Sequence, residues 1–163
     1  MFDLVGASSG LTARSMLGGP GRGEPGRVSG DWLPVLAEVP LFAGLSKRHL
    51  KHVASAGRTK RYAAGTTIVR RGSAGDAAHV VLDGSVRVVL PNRKSMKLGV
   101  GSCFGELALL DGAPRTADVV ADTEVLTMAI GSSAFAKLLK SEPQITLALL
   151  RSLAARLRSA SDV

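Results

Sequence analysis

The sequence predicts a mainly β domain, an antiparallel barrel or jelly roll with N-terminal helices before it and a C-terminal helix pair after it. Three observations carry this. Short runs rich in β-branched residues follow one another after Gly57, with turn dipeptides between them. The runs are evenly spaced, as in compact antiparallel folds. Helical periodicity is confined to the two flanks.

The 163 residues, 45% of them hydrophobic, are enough for one core of ordinary size and cramped for two. Residues 1–30, ending in MLGGPGRGEPGRVSG, are dense in Gly, Pro and Ser and have too little apolar surface to offset ordering entropy. They are expected to be a flexible tail, and residues 31–163 the domain. Within it, Trp32, Leu33, Val35, Leu36 and Val39 have the spacing of a short amphipathic helix. Ser46 is placed to cap a second helix that buries Leu50, Val53 and Ala54 and stops at Gly57. These two helices are expected to form a lid or brace on the body, not its core.

The strand runs are RTKRYAA, TTIVR, AAHVVL, SVRVVL and SMKLG, followed after an interruption by TADVVA and EVLTMAI. Ser132 or Ser133 can cap the helix of SAFAKLLK. Pro143 then opens a longer one, in which Ile145, Leu149, Leu153 and Leu157 form a stripe with Leu150 and Ala154 beside it.

The net charge of +8 attracts anions without choosing among nucleic acid, acidic lipid and small phosphates. Six bases, Lys47, Arg48, Lys51, Arg58, Lys60 and Arg61, lie together with no acid among them. Only Tyr62 is near them for base stacking, so a solvated basic face is expected and no sequence-specific nucleic-acid binding. The chain beyond Arg158 is too short for a helix-turn-helix. No apolar run is long enough to span a bilayer, and the opening MFDLVGASSG lacks the features of a signal peptide. The single cysteine, Cys103, rules out an internal disulfide. A cytoplasmic protein without membrane insertion is expected.

Catalytic and metal chemistry find little support. His49 and His52 lie three apart on the second helix, but no carboxylate or cysteine close in sequence completes a ligand set, so they read as solvated helix histidines. His79, inside a strand run, reads as structural. The glycines of GVGSCFG miss the dinucleotide-binding spacing by one place and lack a βαβ unit. No nucleophile and base stand out, so no enzyme, no metal and no cofactor are expected.

The interruption, FGELALLDGAPRTA, is different. Gly105 allows close backbone approach to a ligand, and a helical turn from Glu106 to Leu110 offers N–H groups to an anion. Pro114 fixes the chain just before Arg115, whose planar fork suits a phosphate, and Thr116 adds a hydroxyl. A carboxylate beside a phosphate is repulsive unless it accepts from its own donor, so Glu106 points to a sugar hydroxyl. A purely structural alternative, a helix start neutralised by Glu106 with an Arg115 to Glu106 ion pair, explains the charges. It does not explain Gly, Glu, Pro, Arg and Thr together.

Phe104 to Leu110 with Pro114 to Ala117 closely resembles the phosphate-binding cassette of the cyclic nucleotide-binding domain family. The resemblance runs from Pro40-Leu41-Phe42-Ala43-Gly44-Leu45 through Gly65, Gly72, Gly75-Asp76 and Asp83-Gly84-Ser85-Val86 to the final helix. It implies a β-jelly roll of the double-stranded β-helix type that binds a 3′,5′-cyclic nucleotide, with no catalytic residue. Arg115 would then pair with the phosphate and Glu106 with the ribose 2′-hydroxyl. Gly105, Leu107 and Ala108 would add backbone contacts, and Thr116 a polar one.

The family also implies a final helix that caps the base, here near Arg156, Ala160 or Ser161. The bacterial style of the chain favours cAMP, with a cGMP-selective receptor as the alternative, since a threonine placed like Thr116 favours guanine in some relatives. The output is expected to be an effector protein or a homodimer through the C-terminal helix. The competing reading is a protein-interaction module of the same fold that binds no nucleotide.

Overall fold

The computed structural model of the chain describes residues 4–5 and 32–161. Most of the expected flexible tail thus lies outside the described residues, as do the side chains of Leu107, Arg156, Ala160 and Ser161. Leu4–Val5 form a short strand, β1. Helix α1 (Leu33–Glu38), a 3-10 turn (Pro40–Phe42) and α2 (Lys47–Ala56) follow. The strands are β2 (Arg58–Tyr62), β3 (Thr67–Val69), β4 (Ala77–Asp83), β5 (Val86–Val89), β6 (Ser95–Leu98) and β7 (Cys103–Phe104). Helix α3 (Glu106–Asp111) interrupts before β8 (Asp118–Ala121) and β9 (Val125–Gly131), and α4 (Ser132–Ser141) and α5 (Pro143–Ser161) close the chain.

Two antiparallel sheets form the jelly roll, one in the order β1-β7-β4-β9-β2 and the other in the order β3-β8-β5-β6. Each expected strand run forms its strand. Two more, β1 and β7, pair with each other as Leu4 with Phe104 and Val5 with Cys103.

The first sheet is covered on both faces, which is why β4 is buried almost throughout instead of alternating. Val80 and Leu82 face the helices, whereas Val81 joins Val86, Val88, Leu98 and Phe104 between the sheets.

The N-terminal helices correct the expectation of a brace. Trp32, Val35, Leu36, Leu41, Phe42, Leu50 and Val53 pack with Val80, Met128, Phe135, Ile145 and Leu149 in the larger hydrophobic cluster. Each helix is too short to hold its shape alone, so its stability comes from this burial.

The Ser46 side chain accepts from the His49 N–H at 3.3 Å, as its capping role requires. At α4 neither serine caps. Gly131 occupies the N-cap position, and the Ser132 N–H donates instead to the Asp76 carbonyl at 3.1 Å.

The apolar stripe of α5 also divides. Ile145 and Leu149 are buried and Leu153 packs against the same cluster, but Leu157 is exposed. Leu147 and Leu150 are exposed as well, Leu150 by 58%.

Candidate phosphate-binding site

The site is built where β7 ends. Gly105 turns the chain with φ 87°, a conformation that costs other residues about 1–2 kcal/mol, and serves as the N-cap of α3. A Cβ there would lie 2.5 Å from Arg115 Nη1 and 3.0 Å from the Ala77 carbonyl oxygen, so glycine is also required by space. The αL residue Gly112 then ends α3, its N–H donating to the Ala108 carbonyl at 3.2 Å.

Arg115 is held by its main chain and by its head group. Its N–H donates to the Ser73 carbonyl at 2.9 Å, and its own carbonyl accepts from Gly72 at 2.8 Å, fastening it to the loop between β3 and β4. The guanidinium, only 2% exposed, donates from Nη1 to the Gly105 carbonyl and from Nη2 to the Ala77 carbonyl, both at 2.6 Å. Two backbone acceptors thus aim the fork. Asp76 Oδ1 lies 3.7 Å from Nη2, but this carboxylate is 92% exposed and is well screened.

Glu106 is fully buried, with Cys103 Sγ 4.0 Å from its Oε2. Ala108 is buried against Gly75, where an added Cβ would come within 2.7 Å of the Ala108 Cβ. Gly105, Glu106, Ala108 and Arg115 therefore converge, and Leu107 lies in the first turn of α3. Pro114 and Thr116 are exposed beside them.

Ser73, Asp76 and Ala77 surround Arg115 although the sequence assigned them no role. Their contributions are mainly carbonyl groups, and only the nearby Gly72 and Gly75-Asp76 pattern hinted at them.

Below the site, His79 stacks on Phe104 with ring centroids 5.0 Å apart and 10° between planes. Its Nδ1 lies 3.2 Å from Thr127 Oγ1. Burial, then the Arg115 and Lys60 charges, lower the imidazole to about 4, with Asp76 acting in the opposite sense. The unfolded chain takes up this proton near pH 6.5 and the native state only near 4, so stability falls as the pH drops through that window. Between pH 7 and pH 5 the loss from His79 is about 2 kcal/mol. Urea melts of the parent and of His79→Phe at both pH values check this. An equal loss in both would remove His79 as the cause.

The His49 and His52 pair is not simply solvated, as the sequence suggested. His52 Nδ1 is 2.6 Å and His49 Nε2 3.4 Å from the carboxylate of Glu142, ninety and more residues away in the chain. Among the described residues no group of three or more His, Cys, Asp or Glu is arranged to hold a metal ion. The six bases from Lys47 to Arg61 are exposed, and Arg61 pairs with Glu124 at 2.8 Å.

The sequence profile of the cyclic nucleotide-binding domain family matches residues 59–142, and the chain belongs to that family. It is 40% identical over 111 residues to a cyclic nucleotide-gated potassium channel of Mesorhizobium japonicum, an alignment covering 68% of this chain and 31% of the channel. It is also 40% identical over 106 residues to the cAMP-dependent protein kinase regulatory subunit of Colletotrichum orbiculare, covering 64% of this chain and 27% of that protein. The chain thus spans about a third or less of the length of these curated relatives. Among solved structures, the catabolite activator protein of Thermus thermophilus superposes with a TM-score of 0.70 at 31% identity, over 74% of this chain and 59% of that one. Among the described residues no helix is long and apolar enough to cross a membrane.

Proposed function

We propose that this domain is a receptor for a 3′,5′-cyclic nucleotide, with cAMP preferred over cGMP, and that it signals through its C-terminal helix. The observation that carries the reading is Arg115, a buried cation aimed by two main-chain carbonyls beside the positive-φ Gly105 and the buried Glu106. A protein that needed Arg115 only for stability could fill this space with apolar side chains, since a buried charge is a poor way to gain stability. An anionic ligand would accept charge-assisted hydrogen bonds from this fork.

In this reading Arg115 meets the cyclic phosphate and Glu106 the ribose 2′-hydroxyl. The backbone of Gly105, Leu107 and Ala108 and the hydroxyl of Thr116 complete the contacts. No chemistry is performed on the ligand, and no metal or further cofactor is used. The similarity to a cAMP-dependent protein kinase regulatory subunit supports cAMP. A cytoplasmic setting suits such a receptor.

Helix α5 is suited to the output. It starts at Pro143, directly after the Glu142 that receives both histidines, and its first half is anchored in the core by Ile145 and Leu149. Leu147, Leu150, Ala154 and Leu157 are exposed at successive spacings of three, four and three, the spacing of a helix seam that a second copy or an effector protein can cover. A ligand moves this helix only to the extent that it favours one position, so affinity and helix position must be coupled.

Titration calorimetry with cAMP and with cGMP tests the reading, with light scattering on the same samples to follow self-association. Binding is expected for both, tighter for cAMP, with a rise in melting temperature because the ligand stabilises the native state. Absence of heat and of thermal stabilisation for both nucleotides at millimolar concentration leaves the protein-interaction module as the better description.

A further inference from the structure

The two carbonyls that aim Arg115 sit on different strands. Ala77 is at the start of β4, and Gly105 directly follows β7. Their separation depends on the stagger of these strands, which is set by a ladder of His79 opposite Phe104 and Val80 opposite Cys103. On the side away from Ala77 it is also set by bonds from the Val81 N–H to the Ser102 carbonyl and from the Gly101 N–H to the Val81 carbonyl, both at 2.9 Å. Toward Ala77 and Gly105 the ladder ends at His79 and Phe104, so the stagger there needs side-chain support.

His79 is placed to supply it. Its ring lies nearly parallel to that of its cross-strand partner Phe104, which is itself buried. On the other side it approaches the hydroxyl of Thr127, a fully buried residue of β9. One side chain thereby ties three adjacent strands, two residues from Ala77 and next to the residue that precedes Gly105.

We propose that His79 is a positioning residue of the phosphate site, fixing through its stack on Phe104 the stagger of β4 and β7 and so the spacing of the two carbonyls that aim Arg115. The proposal rests on the reading of the site as a cyclic-nucleotide receptor. The flat ring is the operative feature, and the Thr127 contact keeps it in the stacking orientation.

The test compares His79→Phe, which keeps a stacking ring, with His79→Leu, which does not. Calorimetry with cAMP is run well below each melting temperature, so that loss of fold does not enter the affinity. His79→Phe is expected to bind within about threefold of the parent and His79→Leu at least tenfold more weakly. In nitrogen-15 spectra of the ligand-free proteins, the Gly105 amide and Arg115 Nε–H peaks are expected to move in His79→Leu and to hold their places in His79→Phe. Should His79→Leu not fold, His79→Gln, which has no ring but can still reach toward Thr127, is read in the same way.

Equal affinities for the ring-free and ring-bearing variants, or unmoved Gly105 and Arg115 peaks in the former, overturn the proposal and leave the receptor reading intact. A parent protein that binds neither nucleotide removes the receptor reading and this one with it.

Discussion

Arg115→Ala is expected to lose on the order of 2–5 kcal/mol of cyclic-nucleotide affinity, roughly 30-fold to several thousand-fold. The loss has two sources. The phosphate forfeits its charge-assisted partner, and the Gly105 and Ala77 carbonyls forfeit the donor that now satisfies them at 2.6 Å each. The second source acts without ligand, so the melting temperature of the free protein should fall too. Arg115→Lys is expected to rescue little, because one ammonium cannot reproduce the planar fork that reaches two strands. Calorimetry and melting curves read both effects, and an unchanged affinity in Arg115→Ala would falsify the phosphate assignment.

The second large effect is expected at Gly105. In Gly105→Ala the new Cβ pays the positive-φ penalty, about 1–2 kcal/mol, and also meets Arg115 Nη1 at 2.5 Å. The arginine must leave its two carbonyls, so binding should weaken by more than the strain alone predicts, at least tenfold. Gly65→Ala is the control. Gly65 has nearly the same φ, 85°, but nothing within 4 Å of an added Cβ, so it should cost stability by strain only and leave affinity untouched. Equal affinities in the two variants would mean that the Gly105 environment matters for its backbone angle and not for the arginine.

Much of the fold was legible because it is written in local pattern. The seven expected strand runs and the order of the helices follow from periodicity and turn residues. Strand β7 was not readable, since a two-residue strand in the short stretch between Gly101 and Gly105 carries no alternation, and its partner β1 lies in a stretch whose composition argues for no structure at all. The N-terminal helices were misjudged for a related reason. Their apolar faces are visible in sequence, but what those faces meet, Val80, Met128 and Phe135 among others, is set by tertiary packing.

The candidate site shows the same division. Gly105, Glu106, Ala108 and Arg115 could be singled out because the segment that carries them is contiguous and its residue types are unusual together. The acceptors of Arg115 were missed because a carbonyl belongs to every residue and leaves no mark in a sequence. Glu142 was missed as the partner of His49 and His52 because their meeting depends on how α4 packs on α2.

The contact of Gly75 with Ala108 and the bond from Ser132 to Asp76 have a further consequence. Two neighbouring residues touch the cassette on one side and the first turn of α4 on the other. In the proposed receptor, the connection from the cassette to α4 through these two residues is made of a methyl group, a bare α-carbon and a peptide oxygen. Side-chain truncation leaves such a connection intact, so a truncation survey of this domain would report on its side-chain contacts and pass over this one.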